Sequence, residues 1–76
     1  MNKTRRAELA AICDGLEAYK NRLEAVMDEE QEAFDNLSEG LQATMRGSMM
    51  EEAIDNMSSA IDSIEEAIDY IEEASA

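Results

Sequence analysis

The chain has 76 residues, 45% of them apolar, with no Pro, Trp or His, a single Cys, and a net charge of −13. That length makes one domain, and so little Gly, Pro and aromatic content argues against a sheet. Direct contact with nucleic acid or anionic lipid is excluded by repulsion, and a zinc site, a thiol–imidazole pair or an internal disulfide has no residues to be made from.

The first helix is expected over residues 4–35, with Thr4 as its N-cap. Leu9, Ile12, Leu16, Tyr19, Leu23 and Val26 recur at alternating steps of three and four, the spacing of a seam that packs on another helix. Beyond Val26 that frame reaches Glu30, and the apolar positions resume one step over at Met27, Phe34, Leu37 and Leu41. This predicts a stutter, a local relaxation of the winding, with Glu30 turned to solvent. Ala11, Gly15, Ala18 and Ala25 form a row of small residues that would let another helix axis come close, although Ala is also simply the strongest helix former. The basic start, Lys3, Arg5 and Arg6, runs into Glu8 and Asp14, so no signal peptide is expected.

Asn36, Ser38, Gly40 and Thr44 place a joint at residues 36–44. Leu37 and Leu41 inside it are expected to fold back over the open end of the core. The second helix is expected over residues 45–74. Ser48-Met49-Met50-Glu51 offers a capping box, but Thr44 is the preferred N-cap, because Met45 and Arg46 after it are good helix formers. Three heptads follow, beginning at Ala53, Ala60 and Ala67, with the seam Ile54, Met57, Ile61, Ile64, Ile68 and Ile71. The Ala row, continued to Ala74, flanks that seam.

Two rods of matched length, each ~45 Å at ~1.5 Å per residue, define an all-α fold: an antiparallel, coiled-coil-like two-helix hairpin filling residues 1–76. Leu9 and Ile12 are expected near Ile68 and Ile71, Leu23 and Val26 near Ile54 and Met57, and the basic start beside Glu72 and Glu73. A lone hairpin leaves its seams half wet. The small-residue rows are therefore expected to pair two hairpins into a four-helix bundle, a C2 homodimer.

Residues 47–76 carry nine acids and no cation. No Lys or Arg four residues away offsets them, and Glu72 and Glu73 oppose the helix dipole. The acids can simply keep a small bundle soluble. They can also form a contact surface for a basic protein, with Asp62, Glu65, Glu66, Asp69, Glu72 and Glu73 as the candidate residues. One charge per ~5 Å of helix approaches the ~3.4 Å spacing of a nucleic-acid strand, so the rod could imitate one. A second candidate surface is an apolar patch at the hairpin tip, Phe34, Leu37, Leu41, Met45 and Met49, since Met-rich surfaces adapt to partners.

No catalytic, metal or cofactor residues are expected. An EF-hand aligned on Gly40 would need an oxygen ligand at Leu37 and a bidentate acid at Arg46. Acid–base chemistry by paired carboxylates needs a desolvated pocket, which a two-helix rod does not offer. The lone Cys13 suits a reducing, cytoplasmic setting, and no apolar run is long enough to span a membrane.

Asp28-Glu29-Glu30-Gln31-Glu32-Ala33-Phe34-Asp35-Asn36-Leu37, Leu41-Gln42, Arg46-Gly47, Glu51-Glu52-Ala53-Ile54-Asp55-Asn56 and Ala60-Ile61-Asp62-Ser63-Ile64-Glu65-Glu66-Ala67-Ile68 resemble a group of small acidic helical-hairpin proteins. These are encoded by phages, prophages and conjugative elements of Gram-positive and gut bacteria. The joint, D-N-L-x-E-x-L-Q, is the most specific part. The family usually carries a Pro there, where this chain has Ser38 and Gly40. The resemblance implies a mobile-element protein. The expected function is a non-enzymatic interaction or assembly module; the alternative is an acidic, nucleic-acid-mimicking inhibitor of a basic host or defence protein.

Overall fold

Three side-chain caps in succession start three helices. The computed structural model describes Met1–Ala76. Asn2 Oδ1 accepts the Arg5 N–H at 2.8 Å and starts α1, Lys3–Asp35. The cap is therefore Asn2 and not Thr4; an Asn in extended backbone is at least as good an N-cap and comes first in the chain. Ser38 Oγ accepts the Leu41 N–H at 3.3 Å and starts the single turn α2, Glu39–Gln42. Thr44 Oγ1 accepts the Gly47 N–H at 3.4 Å and starts α3, Met45–Ser75, as the sequence suggested.

The two long helices pack side by side in a rod of 58 × 15 × 12 Å. The radius of gyration is 17.3 Å, against about 11 Å for a compact domain of this length. On α3 the seam is the predicted one, extended by Met50: Ile61 and Ile68 are buried, and Met50, Ile54, Met57, Ile64 and Ile71 are half-buried. Full burial of one such side chain contributes roughly 1.5–3 kcal/mol.

The seam of α1 differs from the expected one. The half-buried residues along it and into the joint are Leu9, Cys13, Gly15, Leu16, Lys20, Leu23, Glu24, Met27, Glu30, Phe34 and Leu37. Apart from Gly15 and Glu24, which sit beside the row, they follow one rhythm of fours and threes, so the helix contains no stutter. Phe34 and Leu37 set the phase at the joint, and counting back from them reaches Lys20 and Cys13, not Tyr19 and Ile12. Glu30 stays in that row, half-buried, and Ile12, Tyr19 and Val26 stand outside it, 42%, 63% and 52% exposed.

The joint also changes the register. Gln42 Nε2 donates to the Phe34 and Leu37 carbonyls at 3.1 and 3.3 Å, tying α2 to the end of α1. Gly47 is buried against the backbone of Gln42, where a Cβ would lie 2.1 Å from the Gln42 carbonyl oxygen. The first turn of α3 therefore lies along the joint. As a result Ile54 lines a groove with Gln31 and Phe34, more than a turn beyond the expected Leu23 and Val26. At the other end, the Cys13 thiol lies 4.0 Å from the Ile68 carbonyl.

Candidate interaction faces

Residues seven apart share a stripe on a coiled-coil helix. One groove of the hairpin is lined by Glu17, Lys20, Glu65, Ile68, Asp69 and Glu72, the other by Gln31, Phe34, Glu51, Ile54 and Asp55. Glu17, Glu24 and Gln31 are one stripe of α1, and Glu51, Glu65 and Glu72 one stripe of α3. These two stripes therefore flank the seam on the same side and make an acidic face. Its grooves measure 240 and 280 Å³, below the ~300 Å³ at which small-molecule pockets begin.

The stripes on the other side of the seam must then share the opposite face. On α1 that stripe is Ile12, Tyr19, Val26 and Ala33; on α3 it is Ala53, Ala60, Ala67 and Ala74, with Met49, Asn56, Ser63 and Tyr70 one step further round. None of these twelve residues is charged; the stripe bordering them on α1 is Glu8, Gly15, Arg22 and Glu29, with the Arg22 guanidinium 5.4 Å from the Tyr19 ring centroid. Only Ala67 among the twelve is even half-buried. The row Ala11, Ala18 and Ala25, expected to join this face, is exposed on the back of α1, away from α3.

Lys20 is the one cation drawn into the seam. Its stem is covered, with 14% of the side chain exposed, and its ammonium reaches Glu17 at 3.1 Å and Glu65 at 3.4 Å. Long basic side chains pack their methylenes while the charge reaches water or a carboxylate. The hydrogen bond to Glu17 holds the ammonium pKa above its ordinary value, outweighing the opposing effect of desolvation, with Glu65 adding to the rise. Desolvation raises the Cys13 thiol pKa, with the charges of Glu72 and Asp14 adding to it. Lys20–Glu17 and Lys20–Glu65 are the only two ion pairs in the molecule. Lys3, Arg5 and Arg6 thus do not pair with Glu72 and Glu73. Leu9 is the first half-buried residue of α1, so the basic start runs past the packed length, and Glu72 stands near Cys13 instead.

All six candidate contact acids, Asp62, Glu65, Glu66, Asp69, Glu72 and Glu73, are exposed. Glu65 and Glu72 border the seam on the acidic face, with Asp69 beside them and Asp62 on the Asp69 stripe; Glu66 and Glu73 lie further round. The tip patch is divided. Phe34 and Leu37 are half-buried, closing the core, while Leu41, Met45 and Met49 are 53%, 78% and 63% exposed. No three His, Cys, Asp or Glu side chains are grouped closely enough to hold a metal ion, and no helix is long and apolar enough to cross a membrane.

The alternation of fours and threes back from Phe34 was the signal that could have found Lys20 and the uncharged face. The larger Ile12, Tyr19 and Val26, one position away, masked it. Comparison with family models, with curated proteins and with solved structures gives no match in any of the three.

Proposed function

We propose that this chain is a non-enzymatic protein–protein interaction and assembly module of a mobile genetic element, working as a homo-oligomer through its uncharged face. The observation that carries this reading is the segregation of side chains: exposed Ile12, Tyr19 and Val26 share an apolar face with an Ala row, bordered by Arg22, whose guanidinium lies 5.4 Å from the Tyr19 ring centroid, on a molecule of net charge −13. Contiguous apolar surface bordered by charge is the signature of a contact site. The mobile-element origin rests on the resemblance over roughly residues 20–74 alone.

The test uses co-expressed tagged and untagged copies. The wild-type pair co-purifies at high salt, and Tyr19→Glu, which leaves helix content intact because Tyr19 is exposed, abolishes the capture. Equal recovery with Tyr19→Glu would refute the reading. The alternative, an acidic inhibitor, is favoured by the exposure of Asp62, Glu65, Glu66, Asp69, Glu72 and Glu73. It requires salt-labile capture of a basic nucleic-acid-binding protein, lost when Glu65, Glu66, Glu72 and Glu73 become Gln.

A further inference from the structure

We infer that the uncharged face is covered by a second copy related by a two-fold axis parallel to the rod, each α1 lying over the partner's α3, with Tyr19 seated at the partner's Ala67. This rests on the assembly reading above and adds its geometry and register.

Area is the first reason. The hairpin exposes 5603 Å², against about 4,600 Å² for a compact chain of its mass. The excess, about 1,000 Å², matches what one partner loses in a standard interface, about 800 Å². Charge is the second. Two copies carrying −13 each repel over most of their surface. The uncharged face is the approach in which the acidic faces of both point outward.

Shape selects the axis. An axis perpendicular to the rods would set Ile12, Tyr19 and Val26 against themselves and leave Ala rows facing Ala rows, with a gap between them. An axis parallel to the rods sets the large stripe into the small one, as knobs require. That axis also keeps every residue at its own height, so the pairing of levels within the hairpin carries over to the partner. Lys20 meets Glu65, and Gln31 lies with Ile54 and Asp55. By the same spacing Ile12 comes level with the partner's Ala74, Tyr19 with the partner's Ala67 and Val26 with the partner's Ala60, each within a helical turn. Three knobs and three small residues thus share one seven-residue rhythm.

Gly15 is an independent sign. Glycine inside a 33-residue helix is unfavourable relative to Ala, and a Cβ built there meets nothing within 4 Å in the hairpin. In the two-fold pair Gly15 borders the face at the height of the partner's Tyr70, whose ring is 64% exposed. The missing side chain leaves room for that ring.

Cross-linking between two populations tests the register, with Cys13→Ala in both. One carries Tyr19→Cys and the other Ala60→Cys, Ala67→Cys or Ala74→Cys. A disulfide needs Cα atoms within about 7 Å. Under mild oxidation the Tyr19→Cys chain should join Ala67→Cys at least tenfold faster than Ala60→Cys or Ala74→Cys, and tenfold faster than it joins itself. Dominant self-linking of Tyr19→Cys would place α1 on α1 and overturn the axis. Equal rates at all three Ala sites would overturn the register. Sedimentation of the wild type separates the failures: a monomer removes the assembly reading as well, whereas a dimer with other cross-links removes this geometry alone.

Discussion

Gly47→Ala tests how the joint sets the register. A Cβ at residue 47 would lie 2.1 Å from the Gln42 carbonyl oxygen, 2.6 Å from its carbon and 2.8 Å from its Cα. Those are backbone atoms, so α2 must move away from α3 by more than an ångström. The move strains the Thr44 cap on Gly47 N–H and the two hydrogen bonds from Gln42 to Phe34 and Leu37. Losing the cap costs ~1 kcal/mol and losing the hydrogen bonds ~1 kcal/mol each, while Ala gains ~1 kcal/mol over Gly in a helix. The net loss is ~2 kcal/mol, which lowers Tm by roughly 8–16 °C for a domain of this size. The assay is thermal unfolding followed by helix circular dichroism, in a Tyr19→Glu background so that only the hairpin is measured. Gly15→Ala is the internal control. Its Cβ meets nothing within 4 Å, so the same substitution there should raise Tm by roughly 4–8 °C, from ~1 kcal/mol of helix propensity. If the two substitutions shift Tm in the same direction, the joint does not rest on Gly47.

Three further outcomes follow from the same structure. Stability should fall at alkaline pH. Lys20, facing Glu17 and Glu65, and Cys13, desolvated and near Glu72 and Asp14, both have pKa values raised above their ordinary 10.5 and 9.0, so the folded chain holds protons that the unfolded chain releases. Their contribution is complete below those ordinary values and is lost as pH climbs through the raised ones. Urea unfolding between about pH 8 and 11 should show the decline, and its upper part should be absent in Lys20→Met. Salt should raise Tm from low to moderate concentration, because nineteen acids face six cations and only Lys20 is paired; a flat or falling Tm would contradict the self-repulsion. Ile61→Ala, at a residue 6% exposed, should cost ~2–5 kcal/mol in urea unfolding, and a loss below ~1 kcal/mol would mean the seam does not bury Ile61.

The hairpin was legible because apolar residues twice per seven allow few alternatives. The Ile seam of α3, the Thr44 cap and the place of the joint were all readable from local chemistry. The phase of α1 was not, because two stripes one residue apart, Ile12–Tyr19–Val26 and Cys13–Lys20–Met27, compete for the seam. Hydropathy favours the first. The structure takes the second, since Phe34 and Leu37 lock the frame at the joint and Lys20 can pack its stem while its charge reaches Glu17 and Glu65. The register was hidden for a different reason: it depends on the approach of Gln42 to Gly47, a contact that no periodicity encodes. The same competition between stripes conceals the uncharged face, since hydropathy alone places its α1 stripe, Ile12–Tyr19–Val26, in the core.

Sedimentation equilibrium on the wild-type chain, beside Tyr19→Glu, bears most directly on the claim that this face is covered by protein. Wild type should run at twice 8.4 kDa at micromolar concentration and Tyr19→Glu at 8.4 kDa with unchanged helix content. Wild type at 8.4 kDa across the accessible range, or Tyr19→Glu still at twice that mass, would contradict it.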